Sequence, residues 1–159
     1  MRSILCLAIS LMLGAAVATP AGAQTTPNLS GTWVLQTDKS DFGPIPPPQS
    51  RTDVIVHQEP SLTIKRTVVT AAGESVLSLV YAVDGKPYKN LANGTELTST
   101  LRWDGPTLEM VSILPNPQGD ITITDRYTLS ADGKTLTQDR TLVGQGDQAT
   151  QKLLLARQP

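Results

Sequence analysis

The sequence predicts an all-β protein, an antiparallel meander of roughly 8–10 strands that closes into a barrel with no major helix in the folded part. Threonine recurs along the chain and alternates with valine, isoleucine and leucine, as is typical of strands with one buried face. Asp-Gly at 84–85, 104–105 and 132–133 and Asn-Gly at 93–94 supply the positive φ angles that tight hairpin turns need.

Nine segments have this strand pattern, at 31–37, 51–59, 61–71, 74–83, 95–103, 107–115, 120–130, 135–143 and 149–157. Within 95–103, Leu97, Ser99, Leu101 and Trp103 share one face, and threonines and an arginine occupy the other. A sheet with one apolar face and one polar, solvent-exposed face favours a single-layer barrel, in which the edges of the sheet are also paired.

Residues 1–23 have the pattern of a signal peptide. Arg2 precedes the apolar run ILCLAISLMLGAAVA, and Ala-Gly-Ala at 21–23 is a small-x-small cleavage site. The run is short for a membrane span, and no basic stop-transfer cluster follows it. We therefore expect cleavage after Ala23, a periplasmic or secreted protein, and no membrane span in the mature chain.

The remaining chain of about 136 residues fits one domain. An N-terminal segment at 24–50 carries the first strand and a proline-rich arm, and the barrel covers 28–159. Cys6, the single cysteine, lies in the signal, so the core must hold the fold without disulfides. Removal of Arg2 leaves a net charge of about −2 with no basic stripe, which argues against nucleic acid as the partner.

The stretch NLSGTWVLQTDKSDFGPIPPP, at 28–48, places Gly31-x-Trp33 at the head of the first strand. It resembles the lipocalin and fatty-acid-binding barrels of the calycin superfamily, and more narrowly a group of small secreted bacterial lipocalin-like proteins. The resemblance implies that Trp33 packs across the closed end of the barrel with an arginine from a late strand against it. Arg140 is the first candidate for this arginine and Arg157 the second.

The arm departs from the family pattern. Pro44 and prolines 46–48 make a stiff extended segment where fatty-acid-binding proteins have a helical lid, so the lid mechanism is not implied. Phe42 has no strand face of its own, and we expect it to anchor residues 40–48 on the barrel.

Polar residues on otherwise apolar strand faces are the candidates for ligand binding: Arg66, Asp125, Tyr127 and Arg140. A buried charge needs a partner or a ligand. In one interpretation Arg66, Tyr127 and Arg140 converge on a ligand carboxylate while Asp125 orients an arginine. In the other, which we favour because neighbouring strands carry both residues, Asp125 pairs with Arg140 and nothing is bound.

No metal site, cofactor or catalytic set is expected. His57 is the only histidine and has no spaced acidic or cysteine partners, so we expect a strand-end histidine hydrogen-bonded to a turn. No nucleophile, base and orienting group can be assembled, which argues against an enzyme.

The sequence thus predicts an exported binding protein for a small apolar or amphipathic molecule, with a carboxylate-bearing molecule as the favoured guest. The alternative is a ligand-free barrel that acts as an interaction module and docks on an envelope protein through residues 40–50. A cavity of several hundred Å³ would favour the first function, and a filled interior the second.

Overall fold

The computed structural model describes residues 26–159, and the predicted signal peptide at 1–23 lies outside this range. The fold is all-β, with one short 3₁₀ helix at Thr37–Lys39. No helix in the described part of the chain is long and apolar enough to cross a bilayer. The ten strands are β1 (Gly31–Leu35), β2 (Ser50–Gln58), β3 (Ser61–Thr70), β4 (Gly73–Ala82), β5 (Pro87–Ala92), β6 (Thr95–Asp104), β7 (Thr107–Leu114), β8 (Ile121–Leu129), β9 (Thr135–Gly144) and β10 (Asp147–Arg157).

The strands form one antiparallel sheet in the order β4-β3-β2-β1-β10-β9-β8-β7-β6-β5. Consecutive strands pair as a meander, and β1 also pairs with β10, with Trp33 opposite Arg157. This pairing joins the two ends of the chain and curls the sheet into a nearly closed barrel. The predicted fold class is therefore confirmed.

Side chains bridge the seam between the two outermost strands, β4 and β5, where no backbone ladder runs. The amide of Asn90 accepts a hydrogen bond from Val80 N at 2.8 Å and donates one to Val80 O at 3.2 Å. Ser75 Oγ donates to Asn93 Oδ1 at 2.6 Å. Asn90 therefore satisfies backbone groups of β4 that an adjacent strand would otherwise pair.

The sequence reading missed β5, which pairs with β6 from Pro87 to Ala92. Its sequence, PYKNLA, begins with proline and lacks the β-branched alternation of the other strands. Proline is compatible with this position because β5 is an edge strand and Pro87 is its first residue.

The barrel has two unlike ends. At the closed end, where β1 begins and β10 finishes, the interior is filled by large apolar side chains that are 1% exposed or less: Leu29, Trp33, Leu62, Leu108 and Leu136. At the mouth, where β1 finishes and β2 begins, the arm of residues 36–49 crosses the barrel. Each buried large apolar side chain contributes about 1.5–3 kcal/mol, so the closed end supplies much of the stabilisation.

Trp33 is fully buried at the closed end. Its Nε1 donates to Leu29 O at 2.9 Å, and Arg157 Cζ lies 4.8 Å from the centre of the indole. Gly31, at φ +148°, makes room for this stack, since a Cβ there would lie 3.3 Å from Arg157 Nε. The arginine against Trp33 is thus Arg157. The first candidate, Arg140, lies instead beside Asp125, which corrects that prediction.

Backbone hydrogen bonds hold the arm at both ends. Asp41 and Lys152 exchange two bonds of 2.8 Å, and Gln49 N donates to Val69 O at 2.8 Å. Gln151 Nε2 donates to Phe42 O at 3.1 Å, and the Phe42 ring packs against the core. The arm is a fixed cover over the mouth.

Replacement of Trp33 by alanine should lower the free energy of unfolding by about 3–5 kcal/mol, because it opens a large cavity at the closed end. Trp103→Ala is the matched control, since Trp103 is only partly buried and should cost less. Denaturant unfolding measures both. An unchanged midpoint for Trp33→Ala would contradict the assignment of Trp33 to the core.

Replacement of Gly43 by alanine should detach the arm. Gly43 has φ +55°, and a Cβ there would lie 2.3 Å from Thr150 O, so the backbone must move. Gly146→Ala is the control, because Gly146 also has a positive φ, at +87°, but has no atom near the position of its Cβ. Limited proteolysis beside Phe42 should accelerate in Gly43→Ala alone. Equal rates in the two variants would show that the arm is not held by this contact.

Candidate ligand-binding site

A cavity of about 410 Å³ opens at the mouth, beneath the arm. Its apolar wall comes from the arm and from the upper ends of the strands, and includes Phe42, Ile45, Pro46, Leu77, Leu142 and Leu153. Three guanidinium groups also line it, those of Arg51, Arg66 and Arg140. The volume is in the range of small-molecule sites, and an apolar wall with a few polar groups is typical of them.

Asp53 lies between two of these arginines at the floor of the cavity. Its Oδ1 accepts hydrogen bonds from Arg51 Nε at 3.0 Å and Arg66 Nε at 2.9 Å. Its Oδ2 accepts from the two Nη2 groups at 2.6 and 2.9 Å. All three side chains are buried, so one carboxylate is shared by two bidentate arginines.

Asp125 holds the third arginine. Arg140 donates from Nε and Nη2 to the two carboxylate oxygens at 2.7 and 3.0 Å, and Gln138 Nε2 adds a bond of 2.7 Å. Arg66 Nη2 also donates a hydrogen bond of 3.4 Å to the hydroxyl of Tyr127, which neighbours Asp125 on β8. The predicted pairing of Asp125 with Arg140 is therefore present.

The network carries one positive charge in excess, because it contains three guanidinium groups and two carboxylates. The excess lies at Arg51 and Arg66, which share Asp53. Nη1 of each of these arginines has no hydrogen-bond partner among residues 26–159, and both side chains line the cavity. Arg51 is only 5% exposed, so its charge is poorly hydrated and would gain from an anion in the cavity.

The acids of this network are ionised at neutral pH. Burial alone would raise the pKa of Asp53, but the charges of Arg66 and Arg51, with their hydrogen bonds, hold it well below its usual range. Burial opposes ionisation of Asp125 too, yet Arg140 lowers its pKa. The pKa of Tyr127 is raised, by burial first and then by the charge of Asp125, so the phenol stays neutral.

The structure places all four predicted residues in two neighbouring hydrogen-bonded groups: Arg66 with Tyr127, and Asp125 with Arg140. Sequence reasoning missed Arg51 and Asp53 on β2. Their face of the strand also carries Ile55 and His57, and the alternation of burial along β2 is clear in the structure. The sequence alone favours the opposite face as the buried one, because that face carries Val54 and Val56.

His57 lies at the closed end, far from the cavity. It is buried, its Nδ1 accepts from Leu29 N at 3.3 Å, and its Nε2 lies 3.0 Å from Glu59 Oε1. It therefore bonds Glu59 of the turn between β2 and β3, as expected, and also fastens the N-terminal segment. Within residues 26–159, no group of three or more His, Cys, Asp or Glu side chains is placed to hold a metal ion.

The fold is that of the fatty-acid-binding and lipocalin-like barrels. A secretory abundant heat soluble protein from Ramazzottius varieornatus superposes with a TM-score of 0.62 at 14% identity, covering 86% of this chain and 100% of its own. Zebrafish ileal bile acid-binding protein, solved with cholic acid, gives 0.59 at 14% identity, with coverage of 82% and 98%.

A third similar structure is a Schistosoma mansoni fatty acid binding protein in complex with arachidonic acid. Its TM-score is 0.55 at 12% identity, with 82% of this chain and 96% of that chain covered. No family model matches the chain, and no curated protein matches it in sequence. The likeness to these solved structures establishes the fold.

Replacement of Asp53 by asparagine should destabilise the fold by about 3–5 kcal/mol, because it leaves two buried guanidinium groups without their shared carboxylate. Asp104→Asn is the control: Asp104 pairs with Arg126 on the exposed outer face and should contribute much less. Denaturant unfolding at neutral pH compares the two variants. Equal stability of both would contradict the buried network.

The pH dependence of the wild type's free energy of unfolding follows from the carboxyl groups of Asp53 and Asp125. Their folded-state pKa values lie below the ordinary 3.8, so the ion pairs stabilise the fold above that pH. The stabilisation is lost progressively as the pH falls below about 4. Asp53→Asn should show a flatter fall in this range, as measured by denaturant unfolding across pH.

Proposed function

We propose that the protein binds a small amphipathic molecule with a carboxylate head in the cavity beneath the arm. The observation that carries the proposal is the unbalanced positive charge of Arg51 and Arg66, buried at the floor of an apolar cavity. An anionic head would take the free Nη1 donors in charge-assisted hydrogen bonds. An apolar tail would lie against Phe42, Ile45 and Leu142.

The energetics favour this orientation. Apolar area removed from water on binding contributes about 25 cal/mol per Å², and the arm and upper strands offer that area. The floor is the only part of the described cavity lining that presents guanidinium groups. The head is therefore expected at the bottom and the tail under the arm.

The similar solved structures support this proposal by analogy of fold. Two of them were solved with organic acids, cholic acid and arachidonic acid. In this chain the closed end is filled by apolar side chains, so the guest would occupy the mouth rather than the whole interior. The proposal is binding and not catalysis, since the network consists of arginines, ionised acids and a neutral phenol.

Export is part of the proposal. Residues 1–23 have the pattern of a cleaved signal peptide, and cleavage after Ala23 would release the barrel into the periplasm or the medium. A carrier in that compartment would meet small acids outside the cytoplasm.

An interaction module is the second candidate function. The arm exposes Pro44, Ile45, Pro46 and Pro47, which would suit recognition by an envelope protein. The cavity favours carriage over this alternative, because an interaction module needs no buried excess charge.

Titration with an environment-sensitive fluorescent fatty acid tests whether the protein binds a small carboxylate-bearing molecule. Saturable micromolar binding is expected for the wild type, and Arg51→Met should weaken it by about ten- to a hundredfold, the value of a charge-assisted hydrogen bond. Arg51 is the right residue to change, because its loss leaves Asp53 paired with Arg66. Arg140→Met is less informative, since it strips Asp125 of its buried partner.

Arg102→Met is the control for this titration. Arg102 lies on the outer face with its side chain 72% exposed, so its loss should leave binding unchanged. Absence of saturable binding by a folded wild type would reject carriage and favour the interaction module. Equal affinity of Arg51→Met and wild type would reject the anion site.

A further inference from the structure

We propose that the guest's apolar chain runs past Leu142 into a second chamber at the mouth, so that the preferred guest has a chain longer than the cavity beneath the arm. This second space, the outer chamber, has a volume of about 420 Å³, and its apolar wall consists of Pro44, Ile121, Leu142 and Ala149. The inference rests on the proposed function, because it assumes that a carboxylate is held at the floor of the cavity.

The outer chamber continues the cavity along the inner faces of β9 and β10. On β9, Arg140 lines the cavity, Gly144 lines the outer chamber, and Leu142 between them lines both. On β10, Gln151 lines the cavity and Ala149 the outer chamber. Because alternate residues of a strand share a face, these are successive inward positions, about 6–7 Å apart. A chain that leaves the cavity at Leu142 therefore enters the outer chamber directly.

The arm separates the two spaces on the β10 side only. Phe42 lines the cavity and Pro44 lines the outer chamber. Gly43, between them, is packed closely on the backbone of β10 at Thr150. Leu142 on β9, in contrast, borders both spaces, so the two meet on the β9 side of the arm.

The outer chamber is lined by inward-facing apolar side chains that the fold covers incompletely. Towards the closed end, Leu136 on β9 and Leu155 on β10 are fully buried in the core. At the mouth, the inner faces of β8, β9 and β10 end in Ile121, Leu142 and Ala149, which remain partly exposed. An apolar chain laid against these three would remove their exposed area from water and gain affinity from it.

Gly144 provides room for one wall of this chamber. A Cβ at position 144 would lie 3.0 Å from Cγ1 of Ile121, which is tighter than ordinary van der Waals contact. Gly144 is not among the glycines with a positive φ, so its backbone does not require glycine. The missing side chain therefore serves space, and it lets Ile121 lie close against β9.

The shape of the apolar strip favours an alkyl chain as its occupant. The strip is bounded by the arm on one side and by the turn between β9 and β10 on the other, where the lining residues Gln145, Asp147 and Gln148 are exposed and polar. A protein surface placed here would have to desolvate this polar rim as well. A single chain that arrives from the cavity would cover the strip and leave the rim in water.

Filling the outer chamber tests the inference. Ala149→Phe places an aromatic ring in it, and Val143→Phe is the matched control, because Val143 is 46% exposed on the outer face of β9 beside the same turn. Octanoate, decanoate, dodecanoate and tetradecanoate are titrated by calorimetry into the wild type and both variants, each below the concentration at which it forms micelles. Circular dichroism checks that the variants fold.

In the wild type, affinity should rise by about two- to fourfold for each added methylene, as expected for partly to fully buried methylenes. In Ala149→Phe, the affinity of octanoate should stay at the wild-type value, and the rise should stop at a shorter chain. The ratio of tetradecanoate affinity to octanoate affinity should therefore fall by about tenfold or more, the value of two or more buried methylenes. Val143→Phe should keep the wild-type ratio.

Ile121→Ser is a second variant with the opposite change in volume. It removes part of the apolar wall without filling the chamber, and it should lower the same ratio. Ile121 is partly exposed at the first residue of β8, so this variant should fold and supplies the test if Ala149→Phe does not. A general loosening of the mouth would weaken octanoate too and would leave the ratio unchanged.

The outcomes separate the two proposals. If none of the four acids binds the folded wild type, the proposed function is rejected, and this inference with it. If the acids bind but the ratio in the folded variants equals that of the wild type, binding in the cavity stands and the role of the outer chamber is overturned.

Discussion

The carboxylate of Asp53, held between two buried guanidinium groups, divides the interior of the barrel into two unlike halves. Towards the closed end, side chains such as Leu62 and Leu136 can fill the space by apolar packing alone. Towards the mouth, charged groups cannot be covered by apolar side chains without a large desolvation cost. The interior therefore stays open on that side, and the arm covers it.

The arm and the paired strands β1 and β10 follow the same division between the filled closed end and the open mouth. Pairing of β1 with β10 closes the barrel and brings Arg157 over Trp33, where the guanidinium shields the indole. The arm leaves β1 directly above this plug and is bonded to β10 and β3. The proline-rich segment thus spans a gap that the strands leave, and it provides a wall for the cavity without a helix.

Much of the fold could be predicted from the sequence, because two of its signals are local. These are the Asp-Gly or Asn-Gly pairs of hairpin turns and the alternation of apolar and polar residues along each strand. The missing strand, β5, lacked both alternation and β-branched residues, and its place depends on pairing with β6. The closure by Asn90 at the seam with β4 depends on tertiary geometry that no local pattern carries.

The site was predictable where one strand face was clearly apolar. Arg66 follows Leu62 and Ile64, and Asp125 lies between Ile123 and Tyr127, so their burial could be inferred. On β2 the local pattern pointed the wrong way: Val54 and Val56 are about half exposed, whereas Asp53 is 1% exposed. Register with β1 and β3 decides that face, and one strand read alone does not contain that register.

The charge count distinguishes a structural from a functional account of the network. Pairs of opposite charge, such as Asp125 with Arg140, can be explained by folding alone, although apolar groups of similar volume would often be as stable. Arg51 adds a further positive charge to a carboxylate that Arg66 already pairs. Its bonds to Asp53 help to keep that carboxylate ionised, but the shared acid cannot neutralise two guanidinium groups, so one positive charge is left over. An anion in the cavity would pair this remaining charge, so the proposed function depends on Arg51 more than on any other residue of the network.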